Sequence, residues 1–142
     1  MRLLVCGGRD FQDRDLVDEI LDAIHAREVI DVLIEGEEPN GADALAKAWA
    51  LSRGVPVHPF KPAWDDVGRP GAVVRRTRSG RLYDAAAGPE RNRLMLVEGQ
   101  PDYVLAFEGG RGTEDMIRQA RRHGVPGLRL RGTQQRLVGL AW

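Results

Sequence analysis

Glycine-rich junctions with charged neighbours are the parts of this chain equipped for chemistry. The densest is Ala106-Phe107-Glu108-Gly109-Gly110-Arg111-Gly112-Thr113-Glu114-Asp115-Met116. An apolar run over 103–107 ends there in a turn without side-chain bulk, and an amphipathic helical pattern follows at once. A strand, a glycine turn and a helix N-terminus in that order make an anion site, because free backbone N–H groups and the positive helix end point the same way. Gly109, Gly110 and Gly112 let a phosphate approach the backbone, and Arg111 lies within the same loop. Thr113 is the expected N-cap, with Glu114 and Asp115 in the first turn. The chemistry implied is the holding of a phosphorylated, nucleotide-like small molecule.

Two further glycine clusters follow apolar runs. Gly7-Gly8-Arg9-Asp10 reads as a phosphate cradle with Arg9 as a charged clamp, or as a tight turn with a solvated arginine. It is not a dinucleotide fingerprint: the spacing differs, and Glu35 is the nearest approach to an acidic ribose-binding residue. Gly36-Glu37-Glu38-Pro39-Asn40-Gly41-Ala42-Asp43 opens the next helix, with Asn40 or Gly41 as cap. Asp43 suits either the helix dipole or a ligand. Glu37 and Glu38 repel anions, so that loop suits ribose hydroxyls, a base or a cation better than a phosphate. In Gly88-Pro89-Glu90-Arg91-Asn92-Arg93-Leu94-Met95, an arginine either reaches the ligand edge or sits in a solvated basic turn. His25, His58 and His123 are scattered and give no metal-ligand spacing, and neither Ser52 nor Ser79 sits in a nucleophile elbow. No metal and no cofactor is implied.

The elements that must position these residues alternate. Apolar, strand-like runs occupy 1–6, 29–34, 55–60, 103–107 and 125–130. Helical patterns occupy 13–27, 42–53, 89–98 and 113–123, with Pro89 at a first helical position and Gly54 and Gly124 as terminators. The expected fold is α/β: a Rossmann-like three-layer sandwich with a mostly parallel sheet of about five strands and right-handed crossovers. All three glycine loops then lie beyond the carboxyl ends of the strands, where such sheets bind ligands. Residues 1–142 read as a single domain with an arginine-rich insertion at about 61–87. Within it, 73–76 and 81–83 flank Ser79-Gly80 as a hairpin that can serve as a lid, a nucleic-acid contact or a solvated excursion. Trp64, Tyr83 and Phe60 are available for base stacking, whereas Trp49 falls at core spacing. The apolar segment 137–142 should dock on its own core or on a partner subunit.

Composition narrows the function classes. Lys and Arg number 21 and so do Asp and Glu, which disfavours a dedicated duplex-DNA binder and lowers the standing of nucleic acid as a partner. The one cysteine, Cys6, lies in the first apolar run as a small core residue and fits a reducing compartment. No apolar run is long enough to span a membrane, and none reads as a signal peptide, so the expected location is cytoplasmic with no membrane partner.

Together these motifs resemble the SLOG superfamily over nearly the whole chain. The resemblance rests on Gly7-Gly8-Arg9, on Gly41-Ala42-Asp43-Ala44-Leu45-Ala46 with Trp49-Ala50, on Ala87-Gly88-Pro89-Glu90-Arg91-Asn92 with Met95, and on Gly109-Gly110-Arg111-Gly112-Thr113, in that order. It looks most like a small bacterial and phage branch. Related LOG-type phosphoribohydrolases cleave the N-glycosidic bond of nucleoside monophosphates, and others in the superfamily sense nucleotide-derived ligands such as ADP-ribose types. DNA-processing protein A, another relative, binds single-stranded DNA. The LOG pattern implies Arg91 as the catalytic arginine, Asn92 in place of a lysine, Met95 at the methionine and Gly109, Gly110, Gly112 and Thr113 as the phosphate loop. The glutamate of that pattern falls on Met116, so Asp115 becomes the first candidate acid and Glu114 a poorer one. The same resemblance, with the apolar tail, implies a homodimer.

Overall fold

The computed structural model describes residues 1–133 and 135–142. The chain runs β1 (Arg2–Cys6), α1 (Arg14–Arg27), β2 (Val32–Glu35), α2 (Ala42–Arg53), β3 (Val57–Pro59), β4 (Val74–Arg76), β5 (Leu82–Asp84), α3 (Ala87–Val97), β6 (Tyr103–Ala106), α4 (Arg111–Arg122), β7 (Gly127–Thr133) and β8 (Arg136–Ala141). Six strands form one sheet in the order β3-β2-β1-β6-β7-β8. Every pair in it is parallel except β7 with β8.

The three central strands β1, β2 and β6 are buried on both faces, as their continuous apolar runs require. On one face Leu3, Val5 and Leu33 pack with Leu16, Val17 and Leu21 of α1 and Trp49 of α2. On the other, Leu4, Ile34 and Val104 pack with Met95 of α3 and Met116 and Ile117 of α4. This is the three-layer sandwich expected. Local signals start and stop the helices: Asp13 accepts the N–H of Leu16 at 3.0 Å to cap α1, and Gly54 closes α2 in the left-handed region.

Several expectations need correction. The mostly parallel sheet of about five strands is present and carries one strand more, because residues 136–141 add an antiparallel strand to β7. The apolar tail therefore docks on its own chain: Leu137 packs against the α1/α2 face, and the Trp142 indole donates to the Val125 carbonyl at 3.1 Å. Helix α3 begins at Ala87, so Pro89 is its third residue. Helix α4 begins at Arg111 with Gly110 as N-cap, which displaces Thr113 from that role into the first turn.

The insertion folds as a separate antiparallel hairpin, β4 with β5, closed by Thr77 N–H donating to the Arg81 carbonyl at 2.9 Å. Its anchor is Asp84. This fully buried carboxylate accepts Arg69 Nε at 2.6 Å and the N–H groups of Val73 and Ala86, each at 2.9 Å. Burial opposes its charge, yet these donors together hold the carboxyl below its usual range. No helix among the described residues is long and apolar enough to cross a membrane.

Candidate functional site

The strand order reverses between β1 and β6. From β1 the chain moves outward through β2 and β3, then crosses to β6 on the other side. Loops leaving two neighbouring strands in opposite directions open a crevice at their carboxyl ends. A cleft of about 970 Å³ lies there. The β1 loop contributes Gly7, Gly8, Arg9 and Phe11 to its wall; the β6 loop and α4 contribute Gly109, Gly110, Arg111, Gly112, Thr113, Asp115 and Arg118. Glu38 and Asp43 come from the β2 side, and Arg91, Asn92 and Met95 from α3. The buried Cys6 also borders the cleft, and burial pushes its thiol pKa up.

The glycines divide into two kinds. Gly8 N–H donates to the Glu108 carbonyl at 2.8 Å, and a side chain on Gly109 would overlap Thr113 and the Gly8 backbone. Gly41, at a φ of +80°, sits so close to Gly8 and Arg9 that only glycine fits, and the next N–H, of Ala42, donates to the Gly8 carbonyl at 3.1 Å. These residues lock the loops together. Gly110 and Gly112 differ: a Cβ at either would meet open space. Gly110 gives α4 no side-chain cap. The first-turn N–H groups, which lack intrahelical acceptors by geometry, therefore start from an uncapped helix end at the cleft.

Gly36 and Gly41, both expected to touch ligand, are not part of the cleft wall. Gly36 lies under Arg91, whose Nη1 donates to its carbonyl and whose guanidinium leaves no room for a side chain. Arg91 is largely buried; its Nε donates to Asn92 Oδ1 at 3.1 Å, and its Nη2 lies 3.9 Å from Glu38 Oε1. Arg9 is exposed and 3.4 Å from Glu38 Oε2. Glu38 thus stands between the two arginines.

Beneath this rim lies a buried acid pair. Burial lifts Asp43 to a pKa of about 6 despite the nearby Arg91 charge. Burial, reinforced by Asp43, lifts Glu35 to about 7 although its Oε2 accepts the Glu37 N–H. Glu35 Oε1 is buried with no hydrogen-bond partner among the described residues.

The phase of α4 distributes its acids. Met116 is fully buried in the core, so the residue at the position of the LOG glutamate points into the α3/α4 layer. Asp115 borders the cleft. Its Oδ2 accepts Asn92 Nδ2 at 2.9 Å and Gln119 Nε2 at 2.8 Å, while Arg118 lies 3.6 Å from Oδ1. Two amide donors on one oxygen fix the carboxylate and leave Oδ1 as its less engaged atom. Glu114 turns to the other side, where Arg129 sits 2.6 Å away and lowers its pKa; it does not border this cleft. Gln119 was not singled out in the sequence, though its i,i+4 spacing from Asp115 is a readable signal. It also donates to the Pro89 carbonyl at 3.0 Å, tying α4 to the start of α3.

Comparison with known proteins gives three findings. Residues 1–66 match the YAcAr family model, described as the YspA, cpYpsA-related SLOG family. The Gene 61 protein of Mycobacterium phage D29 is 29% identical over 133 residues, which cover 88% of this chain and 92% of that protein. The X-ray structure of DNA processing protein A (DprA) from Streptococcus pneumoniae matches with a TM-score of 0.67 and 19% identity, covering 94% of this chain and 51% of that one. The chain therefore spans about half the length of that protein and shares its fold.

Proposed function

We propose, from the premise that the chain belongs to the SLOG superfamily, that its cleft binds a nucleotide or nucleotide-derived ligand through a phosphate. The observation that carries this is the uncapped start of α4, with Gly110 and Gly112 open to approach, at the cleft between the β1 and β6 loops. Arg9, Arg111 and Arg118 border the same cleft and supply positive charge. Substituting Gly110→Asp tests the site without unfolding it. The position has room and a negative φ, and an aspartate there caps the helix, so thermal stability should hold or rise slightly. The new carboxylate occupies the anion's place, so affinity for adenosine 5′-monophosphate should fall by about tenfold or more in calorimetry. Unchanged affinity would sink the proposal.

Hydrolysis of the N-glycosidic bond of a nucleoside monophosphate extends this proposal. Water would attack the C1′ carbon, and the base would leave with the bonding pair and take a proton. Asp115, fixed through Oδ2, is suited to orient that water through Oδ1, with Arg91 as the second candidate. Incubation with nucleoside monophosphates should release ribose 5-phosphate and free base, and Asp115→Asn should slow release about a hundredfold or more. Tight binding without release would assign a sensor or sequestering protein instead.

A second reading is favoured by the exposed hairpin. Arg75, Arg76, Arg78 and Arg81 are all exposed on or beside β4 and β5, and DprA, with the same fold, is named for DNA processing. On this reading the hairpin holds a single strand. Replacing the four arginines with serine should then abolish salt-sensitive binding of an oligonucleotide in fluorescence anisotropy. A homodimer, as the LOG resemblance implies, and a cytoplasmic location complete the proposal.

A further inference from the structure

The insertion contributes one large side chain to the cleft. Trp64 borders it beside Gly88 and Pro89 at the start of α3. The benzo edge of the indole abuts Gly88: a Cβ there would lie 3.2 Å from Cη2 and 3.8 Å from Cζ2. The backbone is pinned as well, because the Trp64 carbonyl accepts the Asp84 N–H at 2.7 Å. Asp84 in turn holds Arg69, Val73 and Ala86. A half-buried indole is thus built into the wall by its own insertion, on the α3 side, whereas the open glycines belong to α4.

We propose that Trp64 is the nucleobase subsite of this cleft, stacking on the base of a ligand whose phosphate sits at the α4 N-terminus. The inference rests on the phosphate reading above and names the group that ligand must also carry. An indole offers a planar π surface, and every nucleobase presents one, so stacking gives affinity with little preference among bases. A cleft of about 970 Å³ has room for a nucleotide spanning both ends.

Calorimetry with adenosine 5′-monophosphate and ribose 5-phosphate, on the whole chain, tests this. The unsubstituted protein should bind the nucleotide more tightly than the sugar phosphate by about tenfold or more. Trp64→Ala should erase that difference while leaving ribose 5-phosphate affinity within about twofold, and Trp64→Phe should keep most of it. The sugar phosphate carries the same phosphate without a base, so the difference between the two ligands isolates the stacking contribution. Equal affinity of the unsubstituted protein for the two ligands would overturn the base subsite and leave the phosphate site standing. So would equal losses for both in Trp64→Ala. Failure of both ligands to bind the unsubstituted protein would overturn the two proposals together.

Discussion

Glu35 ends β2 with no surface exposed and with Oε1 unpartnered among the described residues, so the fold holds this carboxyl against its charged form. Its pKa rises from 4.5 to about 7; burial and Asp43 drive it up, while the Glu37 N–H and Lys47 pull it down. Between those values the folded chain holds more protons at this site than the unfolded chain does. Stability from Glu35 is thus fully present below pH 4.5 and is lost as pH rises through about 7. Asp43, raised from 3.8 to about 6, acts in the same direction at lower pH. Glu35→Gln keeps the shape and cannot ionise. Urea titrations at pH 5 and pH 8 should show the unsubstituted protein losing on the order of 1–3 kcal/mol more than the variant over that interval. Equal slopes for the two proteins would refute the linkage. The acids of the cleft were all visible in the sequence, but their assignments were not. Whether Asp115, Glu114 or Met116 faces the cleft depends on the phase of α4, which starts three residues earlier than the Thr113 cap implied.

At the scale of elements, the glycine junctions were legible because each follows an apolar run and precedes a helical one. The hairpin was legible from Ser79-Gly80, and Gly80 indeed takes a φ of +89°. What could not be read was how the insertion is fastened. Asp84 gathers donors from Arg69, Val73 and Ala86, and no periodicity marks a residue whose partners are set by loop closure. A two-stranded hairpin is marginal by itself, so this insertion stands or falls with that carboxylate. Asp84→Ala should therefore open it locally. Trypsin should cut at the hairpin arginines about tenfold faster or more, since charge-assisted hydrogen bonds of this kind are worth over 1 kcal/mol. The sheet should stay folded by circular dichroism, because no hairpin strand belongs to it. Cleavage at the unsubstituted rate would remove Asp84 from this role.

For the molecule as a whole, the five parallel strands were readable as apolar runs between helices, whereas the switch between β1 and β6 rests on the strand order, which the connections alone leave open. The sixth strand escaped because Gly139 interrupts its alternation and its core contact is Leu137 alone on the α1/α2 face. That strand offers the proposed homodimer an interface. β8 lies at the edge of the sheet, where among the described residues no further strand neighbours one row of its backbone N–H and C=O groups. Val138 is 54% and Leu140 56% exposed, both on the side opposite Leu137, so the edge carries apolar surface as well as free hydrogen-bonding groups. A second copy pairing there would continue the sheet across a twofold axis and cover both. A lysine on an edge strand opposes such pairing without disturbing the strand's own ladder. Leu140→Lys, at a solvent-facing position, should therefore leave the unfolding temperature within a few degrees of the original. In sedimentation velocity it should convert a dimer into a monomer across the micromolar range. A dimer that persists in the variant would place the interface elsewhere, and a monomeric unsubstituted protein would remove the homodimer from the proposal altogether.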